Sequence, residues 1–155
     1  IGVDPGLNNT GFGILDHRGS KIKVVAYGLI TPPAKQSVPN RLEYLNSHMN
    51  DLIDKFSPMS MAIEDSFYSQ NVKSVILLSQ ARGVLLLSAA SKGISSMVYA
   101  PRKVKQSVTG NGSSSKKQVK YMVEKILNID KNISSLDITD ALAIGLCHIN
   151  QNKYL

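Results

Sequence analysis

Three strand-like patterns fill the first thirty residues of this chain, and the turns between them are short. IGVD (1–4) stops at Pro5-Gly6, TGFGILD (10–16) runs into a turn predicted over His17-Arg18-Gly19, and KIKVVAYGLI (21–30) ends at Pro32-Pro33. Parallel neighbours need a long crossover, and none fits between these segments, so the three strands must be antiparallel. Gly11 and Gly13 interrupt the second strand, a sign of close backbone approach or of a bulge. Such a hairpin unit exposes a face that the rest of the chain has to cover.

The remaining sequence alternates helix and strand patterns. Leu42, Leu45, Met49, Leu52, Ile53 and Phe56 recur at helical spacing, which predicts a helix from about Pro39 to Phe56. MAIED (61–65) reads as a short buried strand and Ser95 to Ala100 as another. Between them, Asn71 to Lys92 reads as a helix apolar on nearly every side, so it must be covered on more than one side, by the sheet and by a second subunit. Pro101 to Val108 is a short basic helix, and the loop GNGSSS (110–115) follows. Ser115 and Gln118 form a capping-box pattern that opens the next helix, and DITDALAIGLC (137–147) lies in the last one. The expected fold is a mixed α/β sheet of five strands, three antiparallel and then two parallel, flanked by helices in a single domain over 1–155.

Composition narrows the function. Hydrophobic residues make up 43% of the 155, and no uninterrupted apolar run nears the ~20 residues of a membrane span. The strand-like opening at Ile1 suggests no signal or transit peptide, with a few residues expected upstream. The single cysteine, Cys147, rules out an internal disulfide framework and reads as a small buried apolar group in a reducing compartment. The net charge of +7 favours a polyanion partner. Arg102, Lys103, Lys105, Lys116, Lys117, Lys120 and Lys125 face only Glu124 in that part of the chain, so the basic side is a face. Gly110 and Gly112 would let backbone approach a phosphate there, although no GxxxxGK[ST] is present. Phe67 and Tyr68 stand on a polar loop, where an aromatic ring either stacks on an unpaired base or folds back onto the core. His17, His48 and His148 read as structural or solvated.

Four acids fall at element ends. Asp4 closes the first strand, Glu64 closes MAIE, and Asp137 and Asp140 are three apart at the start of the last helix, on one face. Each has an ordinary explanation alone: Asp4-Pro5-Gly6 is turn chemistry, Ser134 and Asp137 are spaced as a capping pair, and Glu64-Asp65 would suit a solvated strand end. Asp140 lies a full turn into the helix beside Ala141-Leu142-Ala143-Ile144, and capping does not explain it. If the two strands are neighbours, four carboxylates converge and raise one another's pKa. Oxygen ligands without histidine or cysteine suit Mg²⁺ or Mn²⁺, and two such ions about 3.5–4 Å apart cleave phosphodiesters. Acids drawn far apart, or paired off with lysines, would exclude that chemistry.

The blocks IGVDPGLNNTGFGI, AIEDSFYSQN, LSQARGV, VKQSVTGNGSSSKKQV and DITDALAIGLCH occur in this order along nearly the whole chain, and together they resemble the RuvC-type Holliday-junction resolvases of bacteria. The resemblance implies an RNase H-like fold and a cytoplasmic homodimer that cooperates with the RuvA–RuvB branch-migration machine. It implies paired, symmetric nicks in four-way DNA junctions, with Mg²⁺ or Mn²⁺, leaving 5′-phosphate and 3′-hydroxyl ends in recombination and repair. Asp4, Glu64, Asp137 and Asp140 fall on the family's acidic catalytic positions. Phe67 falls on an aromatic position near the junction centre, with Tyr68 beside it. Lys105 and Lys116 fall on positions that contact scissile-strand phosphates, and Arg102, Lys117 and Lys120 extend the candidate DNA-binding set. Another RNase H-like nuclease, acting on RNA or simple duplex, carries the same acids. An actin-type ATPase also opens with a DxG hairpin but needs a second comparable domain.

Overall fold

The computed structural model describes residues 1–65, 71–130 and 133–152. Strands β1 (Gly2–Asp4), β2 (Thr10–Arg18) and β3 (Lys21–Ile30) form the antiparallel hairpin unit. Helix α1 (Val38–Phe56), strand β4 (Ser60–Glu64), helix α2 (Val72–Ser91) and strand β5 (Ser95–Tyr99) follow, and then helices α3 (Pro101–Thr109), α4 (Lys116–Ile126) and α5 (Leu136–Gln151). The sheet order is β3-β2-β1-β4-β5, with β4 parallel to both β1 and β5. This is the mixed five-stranded sheet that the sequence implied.

Each element begins where local chemistry allows. Ser37 caps α1, with its side chain accepting from the Asn40 N–H, and a proline stands in the first turn. Asn71 caps α2 by accepting from the Lys73 and Ser74 N–H groups. At α4 both halves of the Ser115–Gln118 capping box form. Two sequence expectations differ in detail. β2 and β3 run on through His17 and Arg18 to a tight Gly19-Ser20 turn, because Gly19 takes the left-handed conformation at φ 60°. α5 is capped by Ser135 rather than Ser134, and Ser135 makes no side-chain cap bond, so the Ser134–Asp137 capping pair does not form.

The sheet separates two cores. Val3, Phe12, Ile14, Met61 and Ile63 pack against the inner residues of α1 and α2, including Leu45, Met49 and Leu85. On the other face Ala62 and Tyr99 join α3, α4 and α5 through Val104, Val119, Val123, Leu142 and Ile144. Cys147 is buried in this second core. α2 is long and apolar enough to cross a membrane by length and composition, the only such helix among the described residues. Its Ala81, Leu85 and Ala89 are nevertheless buried against the sheet and α1, while Val72, Ile76 and Leu87 are exposed.

α5 lies almost directly on backbone. A Cβ on Gly2 would stand 2.2 Å from the Ala141 carbonyl oxygen, one on Gly11 2.0 Å from the Asp137 carbonyl oxygen, and one on Gly13 2.5 Å from Leu142 Cδ2. The glycines of β1 and β2 are thus a floor for α5, and close backbone approach is the reading of Gly11 and Gly13 that holds. The register shift between β2 and β3 falls after them, at Ile14/Leu15, where Val25 of β3 is the extra residue. Gly11→Ala should destabilise the protein by at least about 1–3 kcal/mol in chemical denaturation, because neither backbone can yield without lifting α5. Gly83→Ala, on an open helical site with nothing within 4 Å, should stabilise by up to about 1 kcal/mol.

Candidate active site

The four acids meet at one corner of the sheet. The parallel register pairs Gly2 with Ala62 and Val3 with Ile63, so the next step sets Asp4 beside Glu64. Across the antiparallel pair, Asp4 is opposite Gly11, and the Asp137 carbonyl sits over Gly11 because no Cβ is there. Asp140 lies one turn further along α5. Sequence-distant carboxylates are thereby brought together by three backbone facts: a register, a pairing and a missing side chain.

Their mutual repulsion is visible in Asp4. Burial, and then the charges of Glu64, Asp140 and Asp137, push its pKa from 3.8 up to about 8, with Lys116 pulling weakly the other way. Lys116 Nζ donates to Asp140 Oδ2 at 2.7 Å. That hydrogen bond, aided by the charges of Asp140, Asp4 and Glu64, raises the lysine's own pKa against the opposing effect of burial. Among the described residues, the ion pair made by this set joins Lys116 to Asp140, so the set is not paired off with lysines. Asp137 gains from its place in the first turn of α5, where the helix dipole is positive.

A cavity of about 150 Å³ opens beside the acids and is lined by Glu64, Asp140, Lys105 and Lys116 among others. The loop joining α3 to α4 is held by its own hydrogen bonds. Thr109 Oγ1 donates to the Lys105 carbonyl at 2.8 Å and lies 2.8 Å from Ser114 Oγ, and Asn111 Oδ1 accepts from the Ser113 N–H. Gly110 caps α3 in the left-handed conformation, and Gly112 packs where a Cβ would strike Arg102. Lys117 is exposed on α4. Lys120 is engaged elsewhere: it donates to the Ile133 carbonyl and lies 3.9 Å from Glu124. Phe67 and Tyr68 lie outside the described residues.

Other side chains tie the elements around the corner together, and His148 takes the structural role read from sequence. Asp65 pairs with Arg82 of α2, and its N–H bonds to the Tyr99 carbonyl at the end of β5. His148 lies 2.8 Å from both Ser60 Oγ and the Tyr99 hydroxyl, a structural bridge from α5 to β4 and β5. Arg41 reaches from α1 to the β1–β2 turn, a contact that the helical periodicity around it does not signal.

The donor set suits hard divalent cations. It consists of carboxylate oxygens on rigid elements, with a buried Asp4 whose charge needs a positive neighbour. Among the described residues no three Asp, Glu, His or Cys side chains form a ready-made cation site as they stand. The Lys116 ammonium supplies positive charge on Asp140 in this state.

The proton on Asp4 has a thermodynamic consequence. The unfolded chain ionises this carboxyl near 3.8 and the folded chain near 8, so between those values the folded state binds the extra proton. Stability of the metal-free protein should therefore fall as pH rises through that window and level off above it. Asp4→Asn, neutral throughout, should flatten the profile and raise Tm at pH 8 in EDTA, by about 2–4 °C per kcal/mol relieved. Parallel wild-type and variant profiles in thermal melts would refute the burial argument.

Comparison with known proteins gives a consistent picture. The family model described as crossover junction endodeoxyribonuclease RuvC matches residues 1–148. The crossover junction endodeoxyribonuclease RuvC of Finegoldia magna is 41% identical over 154 residues, covering 99% of this chain and 94% of that one. That of Syntrophomonas wolfei is 39% identical over 153 residues, covering 99% and 89%. Among solved structures, T. thermophilus RuvC in complex with Holliday junction substrate superposes with a TM-score of 0.92 at 25% identity, covering 98% and 93%. The yeast mitochondrial Holliday junction resolvase Ydc2 shares the fold, with a TM-score of 0.69 at 14% identity, covering 98% and 79%. A five-stranded sheet with an acidic corner, matched over almost its full length by these proteins, places the chain in the crossover junction endodeoxyribonuclease RuvC family.

Proposed function

We propose that this chain is a single nuclease domain that resolves Holliday junctions by hydrolysing phosphodiester bonds, making paired symmetric nicks in recombination and repair. The observation that carries the reading is the corner where Asp4, Glu64, Asp137 and Asp140 interact, with burial and then the charges of the other three raising the pKa of Asp4 to about 8. Two Mg²⁺ ions, replaceable by Mn²⁺, are the proposed cofactors, and Asp4, Glu64, Asp137 and Asp140 would hold them. Bound cations would neutralise the carboxylates, activate the attacking water and stabilise the leaving 3′ oxygen.

The chain's own residues then have distinct tasks. Asp4 would bind a cation as the carboxylate, without its proton. Asp140 would hold a cation in place of its lysine, which would leave the Lys116 ammonium facing the cavity it lines with Lys105. Both lysines would hold the scissile phosphate and offset charge that develops on it. Arg102 and Lys117 would contact DNA around this cavity. Lys120 would act mainly by supporting the segment before α5, given its bond to Ile133. Phe67 and Tyr68 remain the proposed aromatic contacts at the junction centre.

Paired nicks require two copies of the site, and a two-fold dimer supplies them. The exposed Val72, Ile76 and Leu87 make α2 the proposed seam. RuvA–RuvB is the proposed partner complex and the bacterial cytoplasm the proposed location.

Cleavage of a mobile four-way junction beside a linear duplex and an RNA–DNA hybrid of the same sequence tests the reading. The junction should be cut with Mg²⁺ and left intact with EDTA, while preferred cutting of duplex or hybrid would make the protein a different RNase H-like nuclease. Asp4→Asn should bind the junction in gel shift with near wild-type affinity and cut it at least about 10²–10³-fold more slowly. In light scattering the wild type should run as a dimer, and Ile76→Glu with Leu87→Glu should shift it to monomer. A wild-type monomer at working concentration would remove the seam alone.

A further inference from the structure

A second cavity, of about 380 Å³, opens on the opposite side of the acidic corner. Asp4, Asp137, Asn8, Asn9, Arg41 and Ser74 line it together with apolar side chains of the β1–β2 turn and α2. Arg41 Nη2 donates to the Leu7 carbonyl at 2.8 Å and to Asn8 Oδ1 at 2.7 Å. The Thr31 hydroxyl donates to Asn9 Oδ1 at 3.0 Å.

The guanidinium contact orients the Asn8 amide, because a flip would set its NH₂ against a group that can only donate. The Thr31 hydroxyl holds Asn9 by donating to its Oδ1. With both Oδ1 atoms engaged, each side chain has Nδ2 left as its donor. Neither Nδ2 has an acceptor among the described residues, and both side chains are exposed. Arg41 makes no ion pair with any described carboxylate, and its Nε is buried without a partner. The site therefore keeps one cation without a counter-ion among the described carboxylates and two amide donors, one of them oriented by that cation, next to an acidic corner that handles phosphodiesters on the reading above.

We propose that this cavity seats the backbone phosphate next to the scissile one on the cleaved strand, with Asn8 and Asn9 as donors and Arg41 as the compensating charge. The inference rests on the junction-nuclease reading and extends it. Asp4 and Asp137 repel an anion, so this phosphate sits toward Arg41, and its binding strengthens once divalent cations load the acids.

Single methylphosphonates, which remove one phosphate's charge, test this when placed at each neighbour of the scissile position in a four-way junction. Single-turnover cleavage of each substrate is compared for wild type and the Asn8→Ala/Asn9→Ala variant. One of the two methylphosphonates should slow the wild type about tenfold, the variant should be about tenfold slow on the natural junction, and combining them should cost little more. If the two lesions multiply, if neither neighbour matters, or if the variant cuts like the wild type, the inference is overturned. Should the double variant melt far below the wild type, Thr31→Val takes its place. It keeps both amide donors and Arg41 while removing the hydroxyl that holds Asn9, and it should slow cleavage two- to fivefold, whereas a wild-type rate overturns the site. A wild type that cuts no junction at all overturns the parent reading instead.

Discussion

The contact between α5 and the bare backbone of β1 and β2 governs this structure. Helices usually rest on a layer of side chains, which leaves room for small slides and rotations. Here the Ala141 and Asp137 carbonyls occupy the space that Cβ atoms of Gly2 and Gly11 would need. The helix is therefore positioned by main chain against main chain, with few soft degrees of freedom between them. Two aspartates on α5 inherit that rigidity. Their distance from Asp4 and Glu64 follows from the strand register and the glycines, without depending on how any side chain packs.

This rigidity has an electrostatic counterpart. Burial, and acids that are fixed close together and cannot relax away from one another, raise the pKa of Asp4 to about 8, and a lysine sits on Asp140. A proton or a lysine is a weak substitute for a divalent ion. A buried corner that must borrow positive charge when metal-free has a built-in affinity for cations, and the same repulsion lowers the stability of the metal-free protein at alkaline pH. Stability and cation affinity are opposed at this corner through one set of oxygens.

Much of this was legible from the sequence. Short connections dictated the antiparallel start, periodicity marked the helices, and Gly11 and Gly13 announced the close approach that α5 makes. The ordered motifs carried the likeness to RuvC-type resolvases. Asp140 stood out because capping could not explain it. Other features depended on contacts that no local pattern encodes. Arg82 and Asp65 are 17 residues apart, and nothing around either one marks the ion pair. Arg41 looked like one polar position on an amphipathic helix, and its reach to Leu7 and Asn8 exists only once α1 has docked. Lys120 looked like its basic neighbours, and only the folded path of 133–135 shows that its charge is spent on a backbone carbonyl. The hairpin turn fell a residue or two later than expected because Gly19 permits a tighter reversal than His17-Arg18-Gly19 would make.

The short link between α3 and α4 has a consequence for the lysines that flank it. Its threonine, asparagine and serine hydrogen bonds, together with the reciprocal cap at Ser115, fix the spacing of the two helices that carry Lys105 and Lys116. A backbone that is already ordered has little entropy left to lose when an anion arrives, so only the rotamers of two long side chains are restricted on contact. More of the Coulombic attraction is then available to discriminate between correctly and wrongly shaped polyanions.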